Sequence, residues 1–169
     1  NRFQEFYDKS EGIRRDLDEL GLSTGSVGRW GGDKINPDGS VHQEELHADQ
    51  TLIQAAAKLG CPVYVTGCNY VEGLSLYENY SASIGYFQAL IDFAKPYGIK
   101  IATYNCRWNN YVHSDPAWEV IHGHLPELYI KYDPSHCRYA MGADYLSEMK
   151  KWGKRFAHVH IKGSLIIDG

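Results

Sequence analysis

Apolar residues at Phe3, Phe6, Ile13, Leu17 and Leu20 recur at helical spacing over residues 2–20 and give way to Gly21, which predicts an opening helix. Residues 23–27 predict a short strand of small side chains, and 29–40 a polar loop rich in Gly, Asp and Pro. Helical periodicity returns near Val41 and stops at Leu59-Gly60. The β-branched and aromatic run at 62–66 predicts a second strand, followed by a long loop over 67–79. A helix is expected over 80–94, ended by Pro96 and Gly98. Residues 99–104 predict a third strand and 105–113 a polar aromatic loop. Ser114-Asp115-Pro116 has the form of a helix start, with a capping hydroxyl and a proline just inside. Residues 128–132 predict a fourth strand, 144–152 a helix, and 155–161 a fifth strand.

Strand starts recur roughly every 27 to 39 residues, the length of a βα unit. Parallel strands joined by helices leave a doubly wound sheet or a closed (β/α)8 barrel. The first wants a glycine-rich fingerprint after its first strand, and none is present. The second predicts tight αβ joints and long polar βα loops that carry the functional groups. The joints at Gly21-Leu22, Gly60-Cys61 and Gly98 are tight. The βα loops hold Trp30, Asn69, Asn105, Trp108, Asp133 and His136. The expectation is therefore an α/β fold, a single domain over residues 1–169 forming part of a TIM barrel. Five strands against eight predict a piece of a longer barrel, two strands short at its start and one at its end. Its open edges favour pairing with other chains, so a homo-oligomer is anticipated.

At 43% hydrophobic and 22% charged, the 169 residues have an ordinary globular composition. A net charge of −4 and the absence of a basic run speak against nucleic acid. Lys150, Lys151, Lys154 and Arg155 read as a solvated helix end, with a phosphate patch as the lesser alternative. No stretch is apolar enough to span a bilayer and no signal sequence is visible, so no membrane partner is expected. Cys61, Cys68, Cys106 and Cys137 form no C-x-x-C pattern. They read as reduced thiols and place the chain in a reducing compartment, the cytoplasm.

Two stretches carry the candidate chemistry: Tyr132-Asp133-Pro134-Ser135-His136 and His158-Val159-His160-Ile161-Lys162. If their strands are parallel neighbours, Asp133, His136 and His160 gather at one sheet edge, offering the carboxylate and imidazole donors a divalent metal takes. Other readings stay open. Asp133 also suits a helix cap, and strand parity puts Lys131 on its face, where the two would form a salt bridge. His158 shares a face with His160 one layer deeper, suited to core or supporting work. Lys162 reaches the mouth, to hold a substrate oxygen or simply to be solvated. Trp30 and Trp108 could stack on sugar rings or pack beneath their loops, and Arg107 could meet hydroxyls or a carboxylate. Cys68, Cys106 and Cys137 follow strand ends, where small buried fillers are favoured over a thiolate zinc site.

Asp-x-x-His after one strand and His-x-His-Ile-Lys on the next resemble the sugar phosphate isomerase/epimerase superfamily, barrels of the xylose-isomerase type. The resemblance covers nearly the whole chain in element order. It implies a metal-dependent sugar or keto-sugar isomerase or epimerase acting on a small-molecule sugar, with Mn, Co, Mg or Zn held by Glu, Asp, His and Glu. It places Asp133 and His160 among those ligands, and gives His136 and Lys162 catalytic tasks at the substrate. Where the first Glu is expected, Asn105 or Tyr104 stands; Asn105 is then a weaker oxygen ligand, or serves the loop backbone. The last Glu would lie past Gly169. The two family Glu residues are also its acid/base pair, so a keto-sugar lyase or hydratase, or a barrel piece without a working site, are the rival readings. An endonuclease of the same fold is a further one, opposed by the acidic balance.

Overall fold

The computed structural model describes residues 1–141 and 144–162. Five parallel strands, β1 (Val27–Gly28), β2 (Val63–Thr66), β3 (Lys100–Tyr104), β4 (Leu128–Tyr132) and β5 (Phe156–Val159), lie in sequence order in one sheet. Helices α1 (Arg2–Glu19), α2 (Gln43–Lys58), α3 (Leu76–Ala94), α4 (Asp115–His124), α5 (Pro134–Met141) and α6 (Tyr145–Trp152) complete the chain. Each strand is joined to the next by a helical crossover, which gives a half-barrel of xylose-isomerase-like type.

Two side-chain sets define the faces of the sheet. Tyr64, Ile101, Leu128, Ile130 and Tyr132 point to the helices, where Phe87, Leu90, Ile91, Trp118 and Ile121 meet them in the main core. Val63, Val65, Ala102 and Tyr104 pack on the inner, lumen side, with Cys106, Tyr129 and Ala157 against them. The two-residue period of a strand therefore sends Tyr129, Lys131 and Asp133 toward the lumen. A register shift between Ile130 and Lys131 lets Lys131 pair with His158, so His158 and, by strand parity, His160 just past β5 share that side.

The tight αβ joints are helix C-caps. At Gly60 the next amide returns to Ala56 O (2.9 Å), and Gly60 N itself bonds Ala57 O (3.0 Å). Its φ of +66° is a left-handed value that glycine adopts at little cost. Gly21 closes α1 in the same way.

Four boundaries depart from the sequence expectation. β1 is confined to Val27–Gly28, because Ser23-Thr24-Gly25-Ser26 has little apolar surface to hold on an edge strand. α3 begins at Leu76, where Ser75 and Glu78 close a capping box. Ser114 takes the N-cap position of α4 but its hydroxyl makes no capping bond. α5 forms directly after Asp133 as an element of its own.

Beneath β1 and β2 a charged group is closed inside the protein. Asp49 accepts from Tyr64 Oη (2.8 Å), Arg29 (3.0 Å) and Tyr86, and pairs with Lys34 (3.2 Å). Arg29 and Lys34 also reach Glu45. This ties the 29–40 loop to α2.

Candidate active site

Asp133 ends β4 and is fully buried. The backbone hydrogen bond from His160 N to Tyr132 O (2.8 Å) carries the β4–β5 pairing one step beyond β5 and sets His160 beside it. α5 starts at once, and Ser135 donates its amide (3.0 Å) and hydroxyl (2.6 Å) to Asp133 Oδ1. From the neighbouring strand tip, Asn105 donates Nδ2 to Asp133 O (2.8 Å) and accepts from Asp133 N at Oδ1 (2.9 Å). The carboxylate is thus fixed by its own chain before any ligand is considered.

Its second oxygen is different. Asp133 Oδ2 is buried and has no aligned hydrogen bond. Cationic and imidazole groups surround it: Lys162 Nζ at 2.7 Å, His160 Nδ1 at 3.5 Å, His136 Nε2 at 3.7 Å and Lys131 Nζ at 4.0 Å. Burial alone would raise the Asp133 pKa, but the Lys162 and Ser135 contacts outweigh it and bring it down to about 2. Burial lowers the pKa of His136; the attraction of Asp133 is offset by repulsion from Lys162, Lys131 and His160. Burial also lowers those of His158 and Lys131, Lys131 adding to the effect on His158 and Lys162 to that on Lys131, while Asp133 acts the other way on Lys131.

An aromatic wall stands on the same sheet edge. Trp30, after β1, packs in a tilted arrangement against lumen-facing Tyr104 (5.8 Å between ring centroids, 36° between planes). Tyr104 donates its hydroxyl to Trp108 O (3.0 Å). A Cβ at Gly67 would lie 2.6 Å from the Tyr104 ring, so the glycine after β2 makes room for that ring. Trp30 and Trp108 are both exposed.

The structure therefore brings Asp133, His136, His160 and Lys162 together, and separately Trp30 and Trp108. Asn105 has both amide ends engaged with the Asp133 backbone. Lumen-facing Tyr104 and Cys106 flank it in the chain, so no carboxylate stands at this strand tip. Arg107 is exposed, and its charge is felt by His113 rather than by the Asp133 cluster. Lys131, read from sequence only as a salt-bridge partner of Asp133, is part of the cluster; its strand parity was the available signal. The thiolate zinc alternative fails: Cys68 sits on the helix side, hydrogen-bonded by Ser83, and Cys106 on the lumen side. None of the four cysteines forms a disulfide among the described residues.

The donors fit a divalent cation as a partial shell. A buried carboxylate oxygen without an aligned donor faces two imidazole nitrogens, a hard-to-borderline set. Among the described residues, however, no three His, Cys, Asp or Glu side chains are gathered closely enough to hold an ion by themselves. Lys162, about half exposed, lies on the same oxygen and has to swing away for an ion to reach it.

The family model of the xylose isomerase-like TIM barrel matches residues 1–169, and the chain belongs to that family. No curated protein matches it. Among solved structures it is similar to the 3-keto-D-glucoside 4-epimerase of E. coli, with 16% identity, a TM-score of 0.76, and coverage of 95% of this chain and 66% of that one. It is similar as well to the D-psicose 3-epimerase of Clostridium cellulolyticum H10, with 12% identity, a TM-score of 0.75, and coverage of 92% and 57%. An AP endonuclease, family 2, from Brucella melitensis gives 20% identity, a TM-score of 0.75, and coverage of 90% and 63%. At these identities the likeness is one of fold, and the chain spans 57 to 66% of the length of these three proteins. No helix among the described residues is long and apolar enough to cross a membrane.

Proposed function

We propose that this chain carries the central part of a metal-assisted keto-sugar isomerase or epimerase site. The observation that supports it is the convergence of Asp133 Oδ2, His160 and His136 at one sheet edge, beside the Trp30–Tyr104–Trp108 wall. A divalent cation held by Asp133 and His160, with His136 beside them, would supply Lewis acidity toward a substrate carbonyl oxygen. The chain's own groups do the rest. The aromatic wall takes the apolar face of a sugar ring. Lys162, once off the carboxylate, donates to a substrate oxygen. His136, its pKa lowered by burial, offers Nε2 to the proton on the carbon next to the carbonyl.

The strand-tip position that holds Glu in the family presents no carboxylate here, which favours a keto-sugar lyase or hydratase as the second reading. One experiment separates them. The chain is supplied with Mn2+ and incubated in D2O with a panel of ketohexoses and keto-glucosides, and the products are followed by NMR and mass spectrometry. Deuterium entering the carbon beside the carbonyl without change of formula is the expected result, falling at least a hundredfold in Asp133→Asn. Loss of water or chain cleavage would select the second reading, and neither exchange nor such a product across the panel would overturn both.

A further inference from the structure

Lys131 does not find a full set of partners in this arrangement. It stands on β4, two residues before Asp133 and on the same lumen-facing side. Its side chain is 12% exposed, yet its ammonium makes no hydrogen bond among the described residues. Among the described residues its one ion pair is the 4.0 Å approach to Asp133 Oδ2, an oxygen that Lys162 already holds at 2.7 Å. One carboxylate thus faces two ammonium groups. Among the described residues, the remaining groups near Asp133 and Lys131 supply no second negative side chain: His158 is the register partner of Lys131, and His136 and His160 face the same oxygen. Two ammonium groups against one carboxylate leave a surplus of positive charge on the lumen side, which an anionic oxygen ligand offsets.

We propose that Lys131 seats a carboxylate on the substrate, so that the preferred sugar is a sugar acid and not a neutral ketose; this rests on the sugar-site reading above. Phosphate is the less suitable anion. It is commonly held by backbone amides at a helix start or by an arginine fork. Here the amides of Ser135 and His136 at the start of α5 are both turned to Asp133, and the Arg107 guanidinium is exposed in the loop beyond β3. A single ammonium projecting from a strand offers one point of charge, enough for a carboxylate while leaving the rest of the sugar to the aromatic wall.

The test is calorimetric titration of the full chain, at fixed ionic strength, with the keto-uronates D-fructuronate and D-tagaturonate against D-fructose, D-tagatose and D-fructose 6-phosphate. The uronates should bind at least tenfold more tightly than the neutral sugars. Lys131→Met should remove that margin and leave the neutral sugars unchanged, and Lys131→Arg should retain most of it. The proposal is overturned by equal affinity of uronates and neutral sugars, by a margin that survives Lys131→Met, or by preference for the phosphate ester. Neutral sugars binding without a uronate margin would end this proposal alone; no sugar binding at all would also end the reading on which it rests. Should the Met variant not fold, the wild-type contrast and the Arg variant still decide.

Discussion

Asn105 shows how much of a site can depend on a residue that need not touch substrate. Its amide bridges to the backbone of Asp133 from the adjacent strand tip, and both partner atoms belong to a buried residue. Asn105→Ala would orphan a buried N–H and a buried C=O, and should cost about 2–4 kcal/mol in denaturant unfolding. Asp133→Asn keeps the shape of the side chain but removes the charge that gathers two lysines and two imidazoles. It should abolish stoichiometric uptake of Mn2+ by the purified chain, as read by metal analysis. His158→Gln, one layer below His160, should leave that uptake within about threefold of wild type; collapse of binding would move the ligand role to the deeper imidazole.

At the scale of elements, His122 on α4 bridges three pieces of the fold: its ring nitrogens meet Thr103 Oγ1 on β3 (3.1 Å) and Leu128 O on β4 (3.1 Å). Burial pushes its pKa from 6.5 down to about 4, against the help of the Leu128 carbonyl. The folded chain therefore binds this proton less readily than the unfolded one. Its contribution is complete above pH 6.5 and fades as the pH falls toward 4, by on the order of 3 kcal/mol. Urea midpoints measured from pH 7 to 4 should drop, and His122→Gln should flatten the drop. The buried Asp49 group gives a second test: Asp49→Asn leaves Arg29 and Lys34 short of counter-charge and should destabilise by roughly 3–5 kcal/mol. The elements themselves were unevenly legible. β2 announced itself as an unbroken β-branched and aromatic run and β3 and β4 as segments rich in such residues, and β4 lies at 128–132 as the pattern predicts. The start of α3 read late because Leu76 and Tyr77 in its first turn are exposed, so apolar periodicity begins only at Tyr80; the Ser75–Glu78 box was the better signal. Asp133, His136 and His160 were legible through strand parity and motif spacing. The Asn105 clamp and the Asp49 group were not, since their partners are distant in sequence and carry no periodic mark.

For the molecule as a whole, β1 and β5 are edge strands among the described residues, β5 ends in exposed Val159, and Ile161 two residues on is exposed as well. Unpaired edges with apolar side chains favour association. Light scattering on eluting protein should show a mass that rises with concentration, and Val159→Lys with Ile161→Lys should return it toward the monomer. The pairing of Lys162 with Asp133 bears on how the protein matures. A lone carboxylate sealed in a fold would oppose folding until a metal arrived, and would tie the chain's survival to metal supply. Here the half-exposed Lys162 of the same polypeptide neutralises it, so on the metal reading proposed above assembly would precede loading. Chelated protein should accordingly keep native circular dichroism and a cooperative unfolding transition, and the ion would enter a finished fold by displacing an internal placeholder.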